Sequence, residues 1–418
     1  MLFRSVTAAV SIAVCAALGI CACSSGRESS SFTGDATEEP SYQAKLNAIS
    51  PEAYSGIEGL DLEPGTYISV IGKEDESAYW KQIKAGVEQA AVDLNEELGY
   101  SGDDEIKVIF NAPGEPEDID EQVNILDEEL ARYPDVIAIS SIDAEASSVQ
   151  FDLATMNGIP IVAFESGNTY QGIQCTCSTD NTQAAQTAAQ QLCSSIDEDG
   201  EVMLVVPDSV SQSSKDQVSA FREELLSNHL DVNLAGVIYM DQLDTMKRQA
   251  AAEQLNIAYD DVVKASDIAS GVETTAGSGD EGVQQASELL EEVDAIAGEM
   301  ENEDVVAWYF EQNPDLKGCL GTSAEATQLI LGAADRTEGL DDMVVIGFDA
   351  GKDQVEALEN EEIDGLIVQN PFGMGYAAVV AAARTVLQSG NEAQVDTGFI
   401  WVDQENLEDE NIQALLYE

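Results

Sequence analysis

The chain has 418 residues, with 80 acidic against 17 basic side chains and a formal charge of −63. Such a surface repels phosphate backbones and anionic head groups, which excludes nucleic-acid binding through a basic patch. Hydrophobic residues make up 44% of the chain, so most of it can fold, with room for about two to three domains. The single histidine, His229, must serve any Ser-His-Asp triad or multi-histidine metal site; H-E-x-x-H is impossible and G-x-x-x-x-G-K-[ST] does not occur. Its setting, Ser227-Asn228-His229-Leu230, suits a helix end.

Residues 1–22 read as an export signal. Arg4 gives a positive start, residues 6–20 form an apolar run, and Ile20-Cys21-Ala22-Cys23 places a small residue before a cysteine. The pattern resembles a bacterial lipobox, with Cys23 as the lipidated residue and the rest of the chain extracytoplasmic. An uncleaved anchor is the alternative, because the run nearly spans a bilayer. Residues 24–40, rich in Ser, Gly, Thr and Glu, read as a tether. Residues 41–64 are mixed, and their packing is left open.

From Thr66 onward, short apolar strands alternate with amphipathic helices. Strands are expected at 67–71, 106–110, 136–139 and 161–164, with helices at 78–97, 119–132 and 147–156 between them. A second series follows, with strands at 175–178, 202–206, 232–240, 319–321, 344–348, 365–369 and 398–402. Its helices fall at 182–195, 217–227, 324–335, 352–359 and 375–387. Near-continuous apolar strands alternating with helices require parallel sheets covered on both faces. The expected fold is therefore two doubly wound α/β lobes with a cleft beyond the carboxyl ends of their strands. Residues 241–313 are longer than a usual crossover and very acidic, and read as a helical insertion with a solvated face.

Four cysteines follow the lipobox. Cys175 and Cys177 face one side of a strand and are poorly placed to bridge each other. A bridge from that strand to Cys193 is open, as is the reading of all four, Cys319 included, as buried thiols. Gly373-Met374-Gly375-Tyr376-Ala377-Ala378 matches G-x-G-x-x-A, but it sits in the last strand–helix unit. Close packing of its helix on the sheet is the better reading than a dinucleotide site. Residues 197–201 look like the start of a calcium loop, but Val202 stands where the glycine belongs. No metal site and no cofactor are expected.

The order of several segments resembles the sugar-type (type I) periplasmic substrate-binding proteins of ABC transporters, the ribose and galactose group. They are Ser77-Ala78-Tyr79-Trp80 with Ile83-Lys84-Ala85-Gly86, Asn157-Gly158-Ile159-Pro160-Ile161-Val162, Ser178-Thr179-Asp180-Asn181, Val345-Ile346-Gly347-Phe348-Asp349, and Gly365-Leu366-Ile367-Val368-Gln369-Asn370-Pro371, with Asp396-Thr397-Gly398 last. The resemblance implies a three-strand hinge. It divides the chain into one lobe of residues 66–179 plus 370–395 and another of 180–369 plus 396–418.

It also implies a ligand site. Tyr79 and Trp80 would pack on the ligand from the first lobe and Phe348 from the second. Asp349, Gln369 and Glu165 would pair with sugar hydroxyls, with Ser140, Thr179 and Ser323 as smaller polar contacts. Ser166 and Gln217 stand where ribose-type members carry arginines, which argues against ribose itself, and the acidic mouth admits an amino-bearing ligand. The implied function is capture of a small ligand, most simply a sugar, by a monomeric protein held to the membrane by its lipid and docking on an ABC permease. A ligand sensor feeding a sensor kinase or chemoreceptor is the alternative. An enzyme is not expected, because no nucleophile and base are found.

Overall fold

A computed structural model describes residues 40–270, 280–340 and 342–417. The export segment, Cys23 and the tether up to Glu39 lie outside the described residues. The first sheet contains β1 (Tyr67–Ile71), β2 (Lys107–Asn111), β3 (Val136–Ile139), β4 (Ile161–Phe164), β5 (Ile173–Ser178) and, from the far end of the chain, β11 (Gln394–Asp396). The second contains β6 (Gly200–Val206), β7 (Val232–Tyr239), β8 (Leu316–Gly321), β9 (Val344–Phe348), β10 (Gly365–Gln369) and β12 (Phe399–Val402). The strand orders are β11-β5-β4-β3-β1-β2 and β12-β10-β9-β8-β6-β7. The sheets are parallel as expected, with one antiparallel pairing, β12 with β10, at an edge.

Helices cover both faces of each sheet. In the first lobe α2 (Ala78–Leu98) and α13 (Pro371–Val386) pack on one face, and α3 (Ile119–Arg132) and α4 (Ser148–Asn157) on the other. α2 starts where the Ser77 hydroxyl accepts a hydrogen bond from the Trp80 amide, and it ends at Gly99 in the left-handed region (φ 68°). Between those caps it buries Trp80, Ile83, Gly86, Val87, Ala90 and Leu94, a stripe of helical spacing. α13 is opened by Asn370, whose side chain accepts from the Gly373 amide, with Pro371 at its first position.

The glycine motif in α13 serves packing, but its close partner is α2 rather than the sheet. A Cβ on Gly375 would lie 2.0 Å from the Ile83 carbonyl oxygen, and one on Gly86 2.0 Å from that of Phe372. The two helices touch backbone to backbone.

In the second lobe α5 (Asn181–Ser195) and α6 (Gln212–Asn228) line one face. The other face carries α7 (Leu243–Gln254), α10 (Asn302–Glu311), α11 (Ala324–Ala334) and α12 (Lys352–Glu359). The acidic stretch is thus mostly crossover. Leu243, Met246 and Ala250 of α7, and Val305, Val306 and Phe310 of α10, belong to the lobe's core. The added part is the pair α8 (Tyr259–Ser270) and α9 (Asp280–Ala297), which packs on α7 through its own cluster of Ala251, Ala252, Val262, Val293 and Ala297. Among the described residues no helix is long and apolar enough to cross a membrane.

The chain passes between sheets at three places: from β5 to α5, from β10 to α13, and from β11 to β12. Residues 41–64 pack on the first lobe, where Leu46, Ile49, Tyr54, Leu60 and Leu62 join its core. This segment, which includes α1 (Gln43–Asn47), also reaches the crossings. Ser50 and Asp396 exchange two backbone hydrogen bonds, and the Asn370 amide donates to the carbonyls of Lys45 and Thr397 at 2.7 and 2.9 Å.

Cys175, Cys177, Cys193 and Cys319 are all unpaired and buried. The bridge left open to Cys193 does not form, because Cys175 and Cys177 lie in the first sheet and Cys193 on a helix of the second lobe. His229 follows α6 and ties it to the turn before β6, with Nδ1 2.5 Å from Glu198 Oε2 and Nε2 3.5 Å from Glu224 Oε1.

Candidate functional site

The carboxyl ends of strands from both sheets face one interlobe cavity of about 490 Å³. A larger, more open hollow of about 880 Å³ lies between residues 42–58 and α2. It is away from the strand ends where ligands of open α/β sheets bind, so the interlobe cavity is the candidate site. Beside it the Ser166 and Ser213 hydroxyls stand 3.3 Å apart, one from each lobe.

The two lobes contribute matching turns. Phe164 ends β4 and is followed by Glu165; Phe348 ends β9 and is followed by Asp349. Both acids have left-handed backbones, with φ of 54° and 73°. In each case the amide donates to the neighbouring strand, Glu165 to the Cys177 carbonyl and Asp349 to that of Ile367, both at 2.9 Å. This turn swings a carboxylate off the end of the strand into the cleft, at the conformational cost that β-region residues avoid.

Seven of the expected residues line the cavity: Tyr79, Trp80, Glu165, Gln217, Ser323, Asp349 and Gln369. Tyr79 and Trp80 meet edge to face with centroids 6.1 Å apart, and the Trp80 ring is braced by Phe164 at 6.3 Å. The Gln369 amide donates to Asp349 Oδ1 at 3.0 Å, and the Ala324 amide donates to Oδ2 at 3.2 Å. Gln217 donates to Asn181 at 2.9 Å. The Ser323 hydroxyl is committed to capping α11, where it accepts from the Ala326 amide.

Three expected residues do not line the cavity. Phe348 is fully buried against the α5–α6 face of the second sheet, because side chains alternate along β9 and its turn goes to that face. Ser140 is buried behind Glu165, to which its hydroxyl donates at 2.6 Å, so it positions that carboxylate. Thr179 sits at the first crossing, beside a separate hollow, and its buried hydroxyl has no partner.

Several lining residues are additions that the sequence reading does not single out. Lys73, 5% exposed, stands 3.6 Å from Glu165 and 3.8 Å from Glu117. Burial opposes its charge, but Glu117, Glu165 and Asp208 together hold its ammonium above the ordinary lysine range. Asp208 and Asp241 bind the turn that opens α6. The Asp208 carboxylate accepts from the Val210 and Ser211 amides and the Ser211 and Ser214 hydroxyls, and Asp241 from Ser209. Each follows a strand end by about two positions, as Lys73 follows β1. That shared register is the signal by which they could have been found.

Burial shifts two carboxyls strongly. Asp349 is pushed up to about 7, mainly by burial and further by Glu325, against the hydrogen bonds from Gln369 and Ala324. Glu117 is pushed up to about 7 by burial, which outweighs the charge of Lys73. The Tyr79 hydroxyl is held well above its usual value by burial and by Glu165 and Asp349.

Among the described residues, one group has metal-ligand chemistry: Cys193, Glu198 and His229, with donor atoms within 4.8 Å of one another. Burial and the charges of Glu198 and Glu224 push its thiol up to about 12, away from the thiolate that a metal needs. These residues flank the start of β6, away from the cleft.

A family model described as "Periplasmic binding protein domain" matches residues 68–391. No curated protein matches the chain. A carbohydrate transporter solute-binding protein from Agrobacterium radiobacter, solved with D-arabinose, superposes with a TM-score of 0.62 at 22% identity, over 84% of this chain and 98% of that one. A sugar-binding protein of a sugar ABC transporter from Bacillus halodurans gives 0.57 at 21% identity, over 82% and 99%. A sugar transporter protein from Clostridium phytofermentans gives 0.57 at 18%, over 81% and 99%. At these identities the likeness is one of fold: two α/β lobes joined by crossing strands, the type I periplasmic binding protein fold.

Proposed function

Because the chain belongs to the periplasmic binding protein domain family, we propose that it captures a sugar between its lobes and delivers it to an ABC permease. Cys23 would carry the lipid that holds it, as a monomer, at the outer face of the membrane. The observation that carries the reading is the composition of the cavity, an aromatic wall facing strand-end carboxylates and amides. Sugars have apolar ring faces and a rim of hydroxyls. Tyr79 and Trp80 cover a face, and Glu165, Asp349, Gln369 and Gln217 serve the rim. Each buried hydroxyl left unpaired costs roughly 1–3 kcal/mol, so such a site discriminates among sugars.

The ligand acts by favouring the closed arrangement, and only by its extra affinity for closed over open. A contact between the lobes such as that of the Ser166 and Ser213 hydroxyls, 3.3 Å apart, is of the kind that closure would make. No bond of the ligand is made or broken.

The test is a thermal-shift screen of pentoses, hexoses, deoxysugars and inositols. A ligand at 100 times its Kd stabilises by about 2.7 kcal/mol, a shift readily resolved. The expected result is a small set of stabilising sugars whose effect is lost in Trp80→Ala. Absence of any stabilising member overturns the reading.

A further inference from the structure

We propose that the ligand is longer than one sugar ring: its first ring sits in the interlobe cavity and its second, as in a disaccharide, in an adjoining hollow beside Tyr79. This inference rests on the capture reading above and sets the size class of its substrate.

A hollow of about 550 Å³ adjoins the cavity and shares Ser77, Tyr79, Met240 and Glu325 with it. Each of the two volumes falls within the roughly 300–1,000 Å³ that holds a drug-sized ligand, so the pair has room for more than one ring. The cavity does not continue in the same way toward the crossings. There Ser166, which lines the hollow at the first crossing, meets Ser213, which lines the cavity, and the two spaces have only Asn181 in common. The room for a longer ligand is therefore on the Tyr79 side.

The adjoining hollow lies between the lobes. The first lobe contributes the start of α2, and the second contributes the first turns of α10, α11 and α12. Ala78 and Tyr79 also pack on the core cluster of the second lobe, and a Cβ on Gly351 would lie 3.9 Å from that of Ala78. Contact between the lobes thus bounds the hollow, which is not a notch in the surface of one of them.

Its chemistry repeats that of the cavity. Ala78, Met240, Leu329 and Tyr417 supply apolar surface for a ring face, and Leu329 and Tyr417 are themselves buried. Asn302 and Gln328 bring exposed amides, and Glu325 an exposed carboxylate. α12 opens at Gly351 without a side-chain cap, so its first amides are left as donors for hydroxyl oxygens. A purely apolar second group would use the surface and leave these donors and acceptors to water. A second sugar ring uses both. Met240, on the shared boundary, is an unbranched side chain that adapts its shape, so that boundary can pass a glycosidic link.

The experiment measures Kd by calorimetry for glucose, galactose and xylose, and for maltose, cellobiose, lactose, melibiose and xylobiose. At least one disaccharide is expected to bind at least about tenfold more tightly than each of its component sugars, the equivalent of ~1.4 kcal/mol. Gln328→Trp and Asn302→Trp put a large ring into the adjoining hollow from exposed helix positions that do not line the cavity. With the unfolding midpoint unchanged, at least one of them should remove most of the disaccharide's advantage and leave the Kd of the single sugar within about twofold. If no disaccharide reaches the tenfold margin, or if neither variant reduces it, the second-ring inference is overturned while capture of a sugar stands. If no sugar of either size binds, capture itself is overturned and the inference falls with it.

Discussion

Asp349 should make the ligand-free protein less stable as pH rises. Its carboxyl is pushed from an ordinary 3.8 to about 7. Between those values the folded chain holds a proton that the unfolded chain has released, so unfolding becomes easier with rising pH. The stability is complete below about pH 4 and is lost as pH rises through 7. The total follows from the shift of roughly three units at ~1.4 kcal/mol each, about 4 kcal/mol. About 3 kcal/mol of it falls between pH 5 and 8, a window that avoids the isoelectric region near 4.1.

Glu117 acts with the same sign, but its side chain is 39% exposed and solvent screens it. The useful quantity is therefore the difference between the wild type and Asp349→Asn. Asparagine cannot accept at both oxygens, so it loses a hydrogen bond to Gln369 or Ala324. That cost of ~1–3 kcal/mol is independent of pH and shifts the difference by a constant. Urea unfolding at several pH values should show the variant gaining about 3 kcal/mol on the wild type from pH 5 to pH 8. Parallel profiles, within about 1 kcal/mol, would refute the account of Asp349 as a buried carboxyl held short of a cation.

Three further outcomes follow from the geometry. Lys73→Met strands Glu165 beside Glu117 without a cation and should cost ~3–5 kcal/mol at pH 8; adding Glu165→Gln should return much of it, and a double mutant no more stable than the single would count against the ion pair. Gly375→Ala drives a Cβ to 2.0 Å from the Ile83 carbonyl, and should destabilise by about 3 kcal/mol or more, read as a lower midpoint in heat or urea. Cys175, Cys177, Cys193 and Cys319 are buried, so a thiol reagent should label none of them in the folded protein and all four in guanidinium, with peptide mass spectrometry identifying the sites.

The strands were legible because buried parallel strands read as short apolar runs, and β1, β3, β4, β9 and β10 sit where those runs lie. The site was partly legible because Asp349 and Gln369 end two such runs. Phe348 misled because a residue next to the cleft along the chain can still point beneath the sheet, and the alternation along β9 decides which. Lys73 left no mark in composition, since one lysine among many acids has no spacing to betray it. Its position after β1 carries meaning only once the sheet has been assembled. The core role of α10 was hidden by an unbroken apolar run, 305–310, that shows no helical period. Residues 41–64 could not be placed because their partners, Asp396 and Asn370, are more than three hundred positions away.

The contact at Gly86 and Gly375 bears on how force travels through the molecule. Two helices whose backbones touch cannot slide on each other without a clash, and interiors at this density have little compliance. The Tyr79 hydroxyl, 3.4 Å from the Met374 sulfur, adds a second fastening near the aromatic end. α2 and α13 then behave as one strut, with the aromatic wall at the start of α2 and the Gln369–Pro371 crossing at the start of α13, both beside the cavity. In the proposed reading, a sugar ring pressing on Trp80 would load the joint between the lobes with almost no slack.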